Sequence, residues 1–297
     1  MTVQQINHVI KELKELDLKS ATQTHVEFIL SKIRKLPFFK HIIPSDSFFT
    51  RARQLNEGEN FSTNEDLRYL PQWKNGKFQR ASTPNGTMFY GVFIPNENIN
   101  TESDKPRAIV ACEAVDFMRN PKPQESAEAT LVYGKWRTLK ECKLAVILSL
   151  DESQNNNPYS KQTSQVYRNW IESKHQDYIE QTKLLIDYFT KEYSKFVPED
   201  EHFNYKISGI FSEIIIRNNY VDGIIYPSVK TDGKGLCVAI KPDFVNENMI
   251  LEKVLQCKVT KEKTHTNITN EKCAKANPTD QSFILKDIEE LNANGEI

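Results

Sequence analysis

Val221-Asp222-Gly223-Ile224-Ile225-Tyr226-Pro227-Ser228, followed after Gly233 and Gly235 by Leu236-Cys237-Val238-Ala239-Ile240, reads as strand, turn and strand. Both runs are short, apolar and bounded by turn residues, the pattern of buried core strands. Just upstream, Ile207, Ile210, Phe211, Ile214 and Ile215 have helical spacing, and Asn218-Asn219 marks a turn after them. A helix feeding two core strands without strict βαβ alternation predicts an α+β fold rather than a doubly wound one.

Outward from this block, Ile6, Val9, Ile10 and Leu13 repeat at i, i+3, i+4 and i+7, and Val26, Ile29, Leu30 and Ile33 do the same. The first 40 residues therefore read as a helical hairpin closed by Pro37, with a net charge of +3. Phe48 to Arg53 alternates like a strand, with its arginines on one face. Residues 54–79 read as a long loop with short elements, Thr87–Ile94 as a strand and 95–106 as a surface insertion. Arg107–Val115 is too short to separate helix from strand. Ala129–Tyr133 and Leu144–Leu150 read as strands. One long helix is expected over 164–196, with Trp170, Ile171, Tyr178, Leu185 and Phe189 as its buried stripe. From Lys258 the chain is polar, suiting a weak hairpin or a loose tail. The expected organisation is a helical segment 1–45, a main domain 46–257 containing the long helix, and a tail 258–297.

The bulk composition narrows the function classes. The chain has 297 residues, 38% hydrophobic and 27% charged, with a net charge of −1. That balance fits a globular protein and lacks the basic excess of a general nucleic-acid or membrane-surface binder. Five unclustered cysteines and scattered histidines give no zinc spacing and suggest a reducing compartment. With no secretory leader and no apolar run of roughly 20 residues, cytoplasmic residence is expected.

Several side chains stand out chemically. Arg51, Arg53 and Arg80 offer planar forks that match phosphate oxygens. Tyr90 could stack on a flat cationic ring. Glu113 interrupts the apolar run Ala108–Cys112, where a carboxylate is costly unless paired or used. Ser228 follows the stiffening Pro227, and the glycines after it let backbone approach a ligand. No histidine is placed to activate Ser228, so a hydrolase triad is rejected. Glycine-rich dinucleotide and phosphate-loop motifs are missing. Glu57-Gly58-Glu59 and Glu199-Asp200-Glu201 lie in polar stretches and read as solvated.

Taken in order, Phe49-Thr50-Arg51-Ala52-Arg53, Arg80-Ala81-Ser82 with Phe89-Tyr90-Gly91, Glu113, and Tyr226-Pro227-Ser228 with Val238–Pro242 make the chain resemble the RES-domain family over about residues 46–256. It departs from the family pattern at Gln79-Arg80-Ala81-Ser82, in the insertion before Glu113 and in its extra helices. The resemblance implies an ADP-ribosyltransferase-like mixed β core with flanking helices. It also implies NAD⁺ as a consumed substrate, with no other cofactor and no metal. Arg80, with Arg51 or Arg53, would then hold the pyrophosphate. Tyr90 would face the nicotinamide, with Tyr226 also contacting substrate. Glu113 would steady the ribosyl cation or orient the acceptor, and Ser228 would orient the nicotinamide ribose. The implied activity is glycosidic cleavage by a glycohydrolase or phosphorylase, as in toxin or defence effectors. A macromolecular ADP-ribosyltransferase and a non-catalytic interaction protein are the alternatives. Partners implied are an antitoxin or other regulatory protein, and self-association through the extra helices, with neither membrane nor nucleic acid expected.

Overall fold

A computed structural model describes residues 1–33, 38–94, 106–119, 124–218, 221–263 and 265–293. In chain order its regular elements begin with α1 (Val3–Glu15), α2 (Gln23–Ser31), β1 (Lys40–Ile43), β2 (Phe48–Leu55), α3 (Asn64–Leu67), β3 (Phe89–Ile94) and α4 (Pro106–Ala114). They continue with β4 (Gln124–Thr138), β5 (Cys142–Val146), α5 (Pro158–Glu172), α6 (Gln176–Tyr193), α7 (Lys206–Asn218), β6 (Gly223–Pro227) and β7 (Leu236–Ile240). The last are α8 (Pro242–Asn248), β8 (Met249–Lys263), β9 (His265–Lys275), β10 (Lys286–Asp287) and α9 (Ile288–Ala293). The class is α+β, as expected. Pro37, Asn219 and residues 95–105 of the expected insertion lie outside the described residues.

The chain divides into two compact units. The first comprises residues 1–43, 70–89 and 142–242. Its strands run β1-β5-β6-β7. β5 and β6 are parallel, joined through α5, α6 and α7, whereas β1 and β7 lie antiparallel to their neighbours. The expected helical hairpin is present. Thr2 and Gln5 cap α1 reciprocally, Thr22 caps α2, and α1 packs on α6 while α2 packs on α7. Lys206 pins the connection between them by donating to the carbonyls of Leu18 and Ala21. In the core, the rings of Phe189 and Phe211 stack at 3.4 Å between centroids, and Val238, Ala239 and Ile240 are fully buried.

The single helix expected over 164–196 is two helices. Ser173 ends α5, its N–H bonding the Asn169 carbonyl, and extended His175 opens α6. No glycine or proline marks the break. It lets Trp170 and Tyr178 meet edge to face, 6.3 Å between centroids. Asn157 caps α5, with Pro158 at the first helical position, so that helix also starts earlier than periodicity alone indicated.

At Gly223, opposite Ile240, a β-carbon would lie 2.2 Å from the Ala239 carbonyl oxygen. Neither backbone can yield without opening the β6–β7 ladder. Gly223→Ala is expected to cost about 3 kcal/mol or more, read as a loss of urea midpoint with little change in slope.

The second unit comprises residues 44–69, 90–141 and 243–297. Its strands run β3-β2-β4-β8-β9-β10, every described pairing antiparallel. The segment Arg107–Val115, left open by periodicity, is the helix α4 apart from its last residue, and α4 packs on β2. The polar stretch from Lys258 is no loose tail over the hairpin: β8 crosses position 257 without interruption, and β9 returns alongside it from His265 to Lys275. β4 likewise runs well beyond the apolar residues 129–133, because thirteen residues of β8 pair with it along its length.

Candidate functional site

The seven residues singled out by sequence fall into two sets, one in each unit. Arg80, Tyr226 and Ser228 belong to the first, and Arg51, Arg53, Tyr90 and Glu113 to the second.

In the first unit Arg80 is 9% exposed, and its guanidinium is already engaged. Nη1 donates to the carbonyl of Tyr193, and Nη2 donates to the Lys195 carbonyl and the Tyr205 hydroxyl, each at 3.2 Å. Tyr193 is the last residue of α6, so Arg80 supplies the cation that a helix C-terminus favours. Its Cζ also lies 5.1 Å from the Tyr205 ring centre and 5.9 Å from that of Tyr226. The fork expected to hold a pyrophosphate donates here to main-chain carbonyls at and after the end of α6. Sequence gave no sign of this role, because its partners are 113 to 125 residues away and two of them are main-chain carbonyls.

Tyr226 closes the buried run of β6, its ring 5.7 Å from that of Tyr193. Ser228 is fully buried at the strand exit. Its N–H donates to the Gly235 carbonyl and its carbonyl accepts from Gly233, both at 2.8 Å. Gly233 has φ +75°, following Asp232 at +50°. That left-handed pair lets the backbone close the turn, which is why a glycine stands there.

In the second unit Arg51 and Arg53 lie two apart on β2 and so share a sheet face. The described β2–β3 register ends at Thr50–Val92. From the next position Arg51 reaches across, and Nη1 donates to the Tyr90 carbonyl at 2.6 Å. Burial pulls the Arg51 pKa down to about 10; the charge of Arg53 adds to the effect, and the Tyr90 phenol partly offsets it. Arg53 donates to the Asp66 carbonyl at 2.6 Å and lies 4.9 Å over the Phe61 ring. It therefore ties α3 to the sheet.

Glu113 occupies the last turn of α4, half-buried, while Ile109, Val110 and Ala111 take the buried stripe. Glu113 follows Ile109 by four positions and Val110 by three, so it stands on their side of the helix, one turn further on, where it is half-buried. A negative charge near a helix C-terminus is disfavoured by about 0.3–1 kcal/mol. The start of the same helix is anchored by Arg107, whose Nη2 donates to Asn270 Oδ1 at 2.6 Å and lies 3.1 Å from Cys257 Sγ. The second unit thus brings Arg51 and Tyr90 into direct contact on the sheet that carries the helix of Glu113.

Among the described residues no group of three His, Cys, Asp or Glu side chains could hold a metal ion, and no helix is long and apolar enough to cross a membrane. All five cysteines are free thiols. No protein-family model matches this chain, and no curated protein does either.

Proposed function

We propose that this chain degrades NAD⁺ by breaking the bond between the nicotinamide nitrogen and ribose C1′. The single observation that carries the reading is Arg51, a buried cation whose Nη1 donates to the main-chain carbonyl of Tyr90. The order of sequence motifs that resembles RES-domain proteins supports it. So does the placement of Glu113 at a helix end that disfavours a carboxylate.

In the reaction the C1′–N bond breaks and its electron pair stays on the ring nitrogen. The nicotinamide leaves neutral and needs no general acid. Positive charge then develops on the ribosyl carbon, which the Glu113 carboxylate stabilises electrostatically. Water or phosphate adds to C1′, and a water acceptor gives up one proton on addition. Arg51 holds a phosphate oxygen, and Tyr90 offers its ring to the pyridinium.

Incubation of the purified chain with NAD⁺, followed by chromatography, tests the reading. Nicotinamide with ADP-ribose identifies a hydrolase. ADP-ribose 1″-phosphate formed only with added phosphate identifies a phosphorylase. Label retained on protein or nucleic acid identifies a transferase, and untouched NAD⁺ returns the chain to a binding role.

Arg51 gives a second, independent check. Its lowered pKa means that burial favours the neutral form, so the charge weakens the fold at neutral pH and the penalty fades as pH rises through about 10. Arg51→Met removes that penalty but leaves the Tyr90 carbonyl without its donor, at a cost of about 1–3 kcal/mol. The variant is expected to lose NAD⁺ turnover at temperatures where its melting curve shows it folded. Parental turnover in the folded variant would remove Arg51 from the substrate.

A further inference from the structure

A cavity of about 980 Å³ lies wholly within the second unit, over the β4–β8–β9 part of its sheet. None of the seven residues discussed above lines it. Its floor follows from the strand register. Lys135 lies opposite Lys253, and Lys253 opposite Lys275, so three lysines on adjacent strands form one row on one face. The neighbouring row on that face is Tyr133, Leu255 and Cys273, likewise directly opposite one another. Phe283 and Leu291, both buried, contribute further apolar lining, and Ile284 stands beside them 82% exposed.

Like charges directly across a sheet destabilise it, and here the repulsion is repeated over three strands. Among the described residues no carboxylate lines the cavity. The nearby ion pairs use other groups: Lys258 with Glu128, Lys272 with Asp287, and Arg137 with Asp46 and Glu252. Among the described residues none of the three lysines has an ion-pair partner. The Lys135 ammonium rests 3.7 Å over the Phe48 ring, a weak partner for a full charge. Among the described residues, a row of cations without ion-pair partners lies beside a row of Tyr133, Leu255 and Cys273, with Arg107 over the Tyr133 ring, so the cavity favours an anion at one edge and hydrocarbon beside it.

We infer that this cavity binds an anionic amphiphile, with its phosphate or carboxylate head on Lys135, Lys253 and Lys275 and its hydrocarbon tail along Tyr133, Leu255 and Cys273. The inference is independent of NAD⁺ cleavage and concerns other residues.

Cys273, a half-buried free thiol on the floor, provides a local reporter. The full chain would be incubated with dodecyl phosphate below its micelle concentration, and alkylation of Cys273 followed by peptide mass spectrometry. Saturable protection is expected. Inorganic phosphate and the uncharged dodecyl maltoside should each protect at least about tenfold less effectively. Lys135→Gln/Lys253→Gln/Lys275→Gln should weaken dodecyl phosphate protection at least about tenfold while melting no lower than the parent, since it removes repulsion. Leu255→Trp, which fills the tail region and keeps the lysines, should weaken it as well. Absence of protection, equal protection by phosphate alone or by the maltoside, or parental affinity in the folded triple variant would each overturn the inference.

Discussion

Glu113→Gln is expected to lower NAD⁺ turnover by about 10²–10³-fold, with KM changed far less. The substitution keeps the size and hydrogen-bonding reach of the side chain and removes only its charge. If the carboxylate acts on positive charge that develops as nicotinamide departs, the loss belongs in kcat. Glu113 is half-buried in the last turn of α4, so the melting temperature of the amide variant is read beside its turnover. Turnover measured with a melting curve on the same sample separates the outcomes. Parental turnover in a folded variant would remove Glu113 from the chemistry.

Arg80→Ala is expected to act in the opposite sense, on stability first. Truncation strands the carbonyls of Tyr193 and Lys195 at the end of α6 and removes a cation packed between Tyr205 and Tyr226. Loss of a buried, hydrogen-bonded charge of this kind costs about 3 kcal/mol, read as a large drop in urea midpoint. Arg80→Lys restores the charge but not the fork, so it should recover only part of that loss. An Arg80→Ala protein that melts like the parent yet fails to bind NAD⁺ would return this guanidinium to the substrate.

The two arginines also show how far a sequence motif reaches. Arg51 and Arg80 are the same residue type, each singled out in the sequence as a planar fork that matches phosphate oxygens. Their environments separate them: Arg51 donates to a carbonyl of its own sheet beside a second arginine, whereas Arg80 donates to the carbonyls of Tyr193 and Lys195 and to the Tyr205 hydroxyl. Glu113 was conspicuous for its apolar neighbours, and the helical turn of α4 sets it one turn beyond Ile109 and Val110 on the same side. The missed break at Ser173–His175 has a related origin. Local propensity there permits continuous helix, and the packing of Trp170 on Tyr178 accompanies the bend. The lysine row had no linear signature at all, since its members are separated by 118 and 22 positions.

Periodicity and punctuation alone determined the two N-terminal helices, the α7 helix and the β6–β7 pair. In those segments one chain stretch carries its own apolar face and its own stop signals, and the preference is local. The β8–β9 hairpin, the division into two units, the occupation of Arg80 and the alignment of Lys135, Lys253 and Lys275 were decided only in three dimensions. Each depends on which distant strand or helix end supplies the partner, and long-range pairing leaves no period in the sequence to read.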